Sequence, residues 1–355
     1  MAAMPIVAHT HPFVVGVDTH ARNHVYAIVA AHTGELIDTQ QFPTTISGIN
    51  RALTWVARRT DGNTDTLWAV EGAASYGATL VGAIIDAGYP VAEAPRVDAR
   101  KRYGIGKSDE LDAHHIAAST LAIHVYKLRR PRLGEGIRQA VRILLTARES
   151  MTSDRTRSVN SLTALLRSHD LGLDARRVLT AAQTVEVSRW RAREEELSAR
   201  IARTEAVRLA KRVLEIEAQL KENEKQLTEL VQVSEAAPLL QEKGFGPVTA
   251  ATCLAAWSHQ GRVRSEAAYA SLAGVSPIPA SSGNTTRHRL NRGGDRRLNS
   301  TLHMVAITRM THDEETRAYT ERRRAEGRTD REIRRCIKRY LARRVFRTLS
   351  ASKVV

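Results

Sequence analysis

Cysteine is nearly missing from this chain of 355 residues: Cys253 and Cys336 are the only two, and they lie far apart in apolar or basic surroundings. That excludes a disulfide framework and a CxxC metal site, and it suits a reducing compartment, so a cytoplasmic protein is expected. Long apolar runs are missing too. No stretch approaches the roughly 20 residues that a membrane-spanning helix needs, and the N-terminus lacks a basic segment leading into an apolar core, so no membrane association is expected. Aromatics are only 5% of the chain, which argues against base stacking as the main way of holding a nucleic acid. Acidic charge is in deficit, with 38 Asp and Glu against 54 Lys and Arg, a net charge of +16.

What is present narrows the reading. A large positive excess answers a polyanion, and here it is concentrated. Residues 236–355 hold 23 Lys and Arg against 10 Asp and Glu, whereas residues 1–130 are balanced. The division suggests metal chemistry in the first part and phosphate-backbone binding in the last.

The apolar segments Phe13–Thr19, His24–Ala30 and Gly34–Phe42 read as three successive strands. A helical stripe follows at Ile49, Leu53, Trp55 and Val56, then a strand at Thr66–Glu71, a helix at Leu80–Ala87 and a strand at Tyr89–Ala94. Strands in a meander, then alternating with helices, describe a mixed α/β sheet. From Pro131 to Glu235 glycine is scarce and proline absent after the first position, leaving a helical region. Within it Leu209, Val213, Ile216, Leu220, Asn223, Leu227 and Leu230 recur at alternating spacings of four and three. That is the seam of a coiled coil, with Asn223 as the polar residue that sets register or partner number; an intramolecular helical hairpin is the alternative. The expected organisation is an α/β domain over 1–130, a helical linker and coiled coil over 131–235, and a basic, mostly α-helical domain over 236–355.

Four acids stand where they could converge. Asp18 ends the first strand, Glu71 ends the strand Trp68-Ala69-Val70, and Asp109 and Asp112, three apart, share one helix face. Grouped carboxylates repel one another unless a cation neutralises them, and an all-oxygen set suits Mg2+, with Mn2+ as a substitute. Each acid taken alone reads better as a solvated carboxylate or a helix cap; it is the set of four that points to a metal. His114 and His115 beside Asp112 do not make a zinc site, since no cysteine lies near.

The motifs Gly16-Val17-Asp18-Thr19-His20, Ala69-Val70-Glu71-Gly72 and Lys107-Ser108-Asp109-Glu110-Leu111-Asp112, in that order, resemble the RuvC-like (RNase H-like) domain of the insertion-sequence 110 family of DEDD transposases. The resemblance extends over nearly the whole chain. Leu239–Ala250, containing Gly244-Phe245-Gly246-Pro247, resembles that family's helix-hairpin-helix-like turn. The segment Leu272–Gly283, followed by Asn291–Arg297, resembles its Ser-Gly motif. The resemblance implies a composite site in which Asp18, Glu71, Asp109 and Asp112 hold Mg2+ while a serine hydroxyl attacks DNA. It also implies a noncoding bridge RNA that pairs with donor and target DNA.

The family pattern puts the nucleophile directly before glycine, selecting Ser282, although Ser281 beside it is equally able to present a hydroxyl. A hydroxyl needs a metal or a base to become a nucleophile. Gly244 and Gly246 would bring backbone N–H groups close to a phosphate, and Arg287, Arg289, Arg292, Arg296 and Arg297 surround the serine loop. The seam and a divided site together suggest a homodimer that assembles into a higher synaptic oligomer. Two alternatives remain: a RuvC-like metal-dependent nuclease with water as nucleophile, and a non-catalytic nucleic-acid-binding coiled-coil protein.

Overall fold

The structure is a computed structural model that describes residues 5–95, 108–132, 136–282, 288–289, 291 and 293–351. The chain forms two compact units, one of residues 1–134 with 258–263, the other of 135–257 with 264–355. The helical middle and the basic C-terminal segment, two domains on the sequence reading, cluster as one.

In the first unit a short helix α1 (Val7–Thr10) precedes β1 (Phe13–Thr19), β2 (Asn23–Ala30) and β3 (Leu36–Pro43). Helix α2 (Ile46–Arg59), β4 (Leu67–Val70), α3 (Ala78–Asp86), β5 (Val91–Glu93) and α4 (Asp109–Leu121) follow. The sheet order is β3-β2-β1-β4-β5. The first three strands pair antiparallel and the rest parallel. This is the mixed sheet expected of a RuvC-like domain.

Alternation along β1 sorts the core into two layers. Val15 and Val17 pack with Tyr26, Trp68 and Val70 against Ile49 and Trp55 of α2 and Leu80 and Ile84 of α3. Val14, with Val29, Leu67 and Ala69, packs against Ile116 and Ala117 of α4. A sheet covered on both faces explains why its central strands are continuously apolar rather than alternating. It also sets which face Asp18 joins: being even-numbered, it shares the α4 face with Val14 and Gly16.

The second unit starts with a hairpin of two long helices, α5 (Gly136–Ser168) and α7 (Leu197–Gln232), with α6 (Ala181–Ser188) between them in sequence. Of the expected seam, Val213, Ile216, Asn223 and Leu227 are buried. Helix α7 packs along α5 of the same chain. Arg148 donates to the Leu220 carbonyl at 2.9 Å and to Asn223 Oδ1 at 3.3 Å, and Asn223 Nδ2 donates to the Leu144 carbonyl at 3.0 Å. Arg155 reaches Glu217 at 2.6 Å and Arg138 pairs with Glu235, so numbers rise along one helix as they fall along the other. The helices are antiparallel, and Asn223 fixes their register from inside the chain. Asn223→Ala removes the second donor to the Leu144 carbonyl, which keeps its bond within α5, and one of the acceptors of Arg148, with an expected cost of about 1 kcal/mol. Urea unfolding of the variant measures it, and an unchanged midpoint would show that the buried amide sets nothing.

Beyond the hairpin come α8 (Pro247–Trp257), α9 (Glu266–Leu272), and a two-stranded ladder of β6 (Ile278–Pro279) and β7 (His288–Arg289). Three helices close the unit: α10 (Arg296–His312), α11 (Glu314–Ala325) and α12 (Asp330–Ala351). No helix among the described residues is long and apolar enough to cross a membrane.

Candidate active site

Strand register places two of the expected acids side by side. Val17 of β1 pairs with Val70 of the parallel β4, so Asp18 and Glu71 each stand one residue further on. The Glu71 amide donates to the Val17 carbonyl at 3.0 Å and the Thr19 hydroxyl to the Glu71 carbonyl at 2.9 Å, locking the two strand ends together. Gly72, at φ 61°, turns the chain away immediately afterwards, and a Cβ there would sit 2.7 Å from the Thr19 hydroxyl.

Helix α4 brings the third acid. A Cβ on Gly16 would lie 2.1 Å from the Ala113 carbonyl oxygen and 2.5 Å from the Ala117 amide, so the α4 backbone rests directly on the β1 backbone. Asp109 is one turn before Ala113 and two before Ala117 on the same stripe, and it therefore overhangs the end of β1 where Asp18 stands. Ser108 caps the helix by accepting from the Leu111 amide at 3.3 Å, and the first-turn acids Asp109, Glu110 and Asp112 meet the positive end of the helix dipole.

The carboxylates of Asp18 and Asp109 meet at a residue to which the sequence reading assigned no part. His20 Nε2 lies 3.0 Å from Asp18 Oδ2 and 3.6 Å from Asp109 Oδ2. One donor atom from each of Asp18, His20 and Asp109 lies within 4.8 Å of the others, close enough to share a cation. The Asp18 side chain is only 12% exposed, against 47% for His20 and 58% for Asp109, so Asp18 is the fixed corner and the other two can adjust. Glu71, exposed just past the end of β4, and half-buried Asp112 stand outside this group. His114 and His115 stack on each other, with ring centroids 6.1 Å apart.

Near the same strand end, His24 is buried with Nδ1 lacking a hydrogen-bond partner. Burial first, then the nearby His20, holds its pKa below the usual 6.5. Above that value the ring is neutral in folded and unfolded chains alike. As the pH falls below it, the unfolded chain takes up a proton that the folded one resists, so stability is lost on acidification. Urea midpoints at pH 7.5 and 5.5 are expected to show a drop that His24→Leu diminishes; an equal drop in both proteins would count against His24.

In the second unit the serine loop is built on a clasp. Gly274, at φ 67°, and Gly294 meet backbone to backbone: a Cβ on Gly294 would lie 2.3 Å from the Gly274 amide nitrogen. The Asp295 amide donates to the Leu272 carbonyl at 2.7 Å, and Asn299 Nδ2 donates to the Ala273 carbonyl at 2.7 Å. The loop's two ends are thus pinned at its base, and Ser281 and Ser282 are exposed beyond β6.

Of the basic residues around it, Arg289 and Arg296 are exposed, whereas Arg297 pairs with Glu149 of α5. Arg287 and Arg292 lie outside the described residues. The glycine turn is closely packed within the unit. Gly244, at φ 89°, faces Val305 and Arg309 of α10, and the Gly246 amide is taken by the Thr249 hydroxyl at 2.8 Å. The arginine-rich tail is also partly committed inside the unit, with Arg343 and Arg347 on Glu266 and Arg344 on Glu242. The more exposed of these pairs, those on Glu266, are worth little to stability.

Comparison with known proteins matches two stretches of the chain, the first of which runs beyond the first unit through α5. Residues 15–169 match the transposase family described as DEDD transposase of the IS110 type, and residues 236–321 match the one described as Transposase IS116/IS110/IS902 family. An insertion element IS900 uncharacterized 42 kDa protein of Mycobacterium paratuberculosis is 26% identical over 363 aligned positions, covering 89% of this chain and 90% of that protein. With both family domains present in order and Asp18 and Asp109 brought together at the end of a RuvC-like sheet, the chain belongs to the IS110 family of insertion-sequence transposases, metal-dependent enzymes that cleave and transfer DNA strands.

Proposed function

We propose that the chain recombines an insertion sequence with its target by serine attack on DNA. Asp18, Glu71, Asp109 and Asp112 hold Mg2+ and Ser282 supplies the nucleophile. The observation that carries the reading is the approach of Asp18 and Asp109, 91 positions apart, to one imidazole at 3.0 and 3.6 Å. Unneutralised carboxylates so placed repel, so a divalent cation is the natural occupant. When bound, the cation offsets charge on the scissile phosphate and makes a nearby hydroxyl more acidic.

The serine hydroxyl forms a bond to phosphorus while the bond from phosphorus to one deoxyribose oxygen breaks. The serine gives up its proton and the departing oxygen gains one. A phosphoserine ester conserves the bond energy, so a second strand end can be joined by the reverse reaction without an external energy source. Exposure of Ser282 on a loop with a pinned base supports this role, and Ser281 beside it is the alternative. Arg289, Arg296 and Arg297, with Arg287 and Arg292, would bind the DNA backbone. Gly244 and Gly246 shape the turn, and only a rearrangement of Thr249 would free the Gly246 amide for phosphate.

Few aromatics and many arginines favour phosphate binding over base reading, which supports delegation of donor and target choice to a noncoding bridge RNA. Joining two DNA sites calls for at least a homodimer, assembled further at synapsis. Since α5 already covers the α7 seam, the contact between copies uses another surface.

A second reading has support in the acid cluster itself, which forms within the first unit alone: a nuclease with water as nucleophile. One experiment separates the two. Protein incubated with element-junction DNA, flanking noncoding RNA and Mg2+ is run on a denaturing gel beside Ser282→Ala and Asp18→Ala. A protein–DNA adduct lost in both variants is expected. Cleaved DNA without adduct, persisting in Ser282→Ala, would establish hydrolysis instead.

A further inference from the structure

We propose that His20 is a nitrogen ligand of the cation held by Asp18 and Asp109 and that it tilts the site toward Mn2+ over Mg2+; this rests on the acid-site reading above. Around an octahedral ion with ligands at about 2.1 Å, neighbouring donors stand about 3.0 Å apart and opposite ones about 4.2 Å. The His20 Nε2 separations of 3.0 Å from Asp18 and 3.6 Å from Asp109 fall within that range, and all three donors lie within 4.8 Å. The backbone just before His20 is held while its ring keeps some freedom. Thr19, the last residue of β1, is tied to the Glu71 carbonyl, and the half-exposed imidazole can shift by tenths of an ångström while Asp18 stays in place.

The consequence is a matter of donor chemistry. Carboxylates and water alone serve Mg2+ well, because that ion prefers oxygen and keeps its waters. An imidazole among them raises affinity for first-row transition ions, and Mn2+ is the member of that series that also accepts carboxylate and water as its remaining ligands. A His20 that merely donates a hydrogen bond to Asp18 would leave the ion preference untouched and would not couple to the ion's electron spin.

Pulsed electron paramagnetic resonance on the full chain loaded with Mn2+ reads the ligand directly. Modulation from a coordinated nitrogen is expected in the natural protein and its loss in His20→Gln. Mn2+ affinity should fall about tenfold or more, since removal of even an outer-shell partner costs that much, and Mg2+ affinity less. Mn2+ bound without nitrogen modulation, or modulation that survives His20→Gln, overturns the assignment of His20 and leaves the acid site standing. Failure of the natural protein to bind Mn2+, or equal binding by Asp18→Asn, overturns the acid-site reading and this proposal with it.

Discussion

A single methyl group added at position 16 is expected to destabilise the first unit by about 3 kcal/mol or more and to slow DNA cleavage by about a hundredfold or more. The Cβ of Gly16→Ala would sit 2.1 Å from the Ala113 carbonyl oxygen and 2.5 Å from the Ala117 amide nitrogen. Both are backbone atoms inside α4, so no rotamer change relieves the clash, and the helix must lift from the sheet. Lifting exposes Ile116 and Ala117, which pack against Val14 and Ala69. It also carries Asp109, at the first position of α4, away from Asp18. A shift of about an ångström in a reacting group is enough for the hundredfold loss. The control is Gly82→Ala in α3, where nothing lies within 4 Å of the added Cβ; helix propensity makes it neutral or mildly stabilising. Urea unfolding and a cleavage assay on both variants make the comparison. Natural stability and rate in Gly16→Ala would show that close contact between α4 and β1 does not position the acids.

Gly294→Ala is expected to abolish strand joining while leaving the acid site able to bind its ion. The added Cβ would lie 2.3 Å from the Gly274 amide nitrogen, 2.4 Å from its Cα and 2.9 Å from the Ala273 carbonyl carbon. The two ends of the serine loop must then separate, which breaks the bonds from Asp295 to Leu272 and from Asn299 to Ala273, each 2.7 Å in the intact clasp. With its base open, the loop samples many orientations of Ser282, and the hydroxyl proposed to attack DNA loses the alignment worth two or more powers of ten in rate. Covalent adduct on a denaturing gel should fall by about a hundredfold or more, with Mn2+ binding unchanged because Asp18, His20 and Asp109 lie in the other unit. Full adduct yield from Gly294→Ala would mean that the clasp does not orient the serine.

Much of the first unit is legible in the sequence. The apolar run at Phe13–Thr19 became β1 over those same residues, and the strands expected around His24, Leu36, Trp68 and Val91 all formed. Spacing alone put Asp109 and Asp112 on one helix, and Ser108 proved to be its cap. Other features were not legible. Gly16 in a strand could have marked a bulge or a close approach, and only the packed helix shows which. His20 lay in plain view two positions after Asp18, yet nothing in its spacing connects it with Asp109. The seam through Val213, Ile216, Asn223 and Leu227 was readable as a stripe, but the identity of the covering surface was not, because a heptad pattern looks the same whether its partner is another chain or α5.

The sequence by itself determined the elements, the order of the acids along the chain, the positive charge of the C-terminal segment and the polar break in the helical seam. These depend on neighbours within a few residues, where the periods of strand and helix govern which side chains share a face. Tertiary structure alone decided that Asp18 and Asp109 meet at His20, that two glycines clasp the serine loop, and that Asn223 is satisfied from within its own chain. Each of those rests on how closely two distant backbones can approach. That distance is set by where a Cβ is missing and which buried polar atom finds a partner, both properties of the packed pair and of neither segment alone.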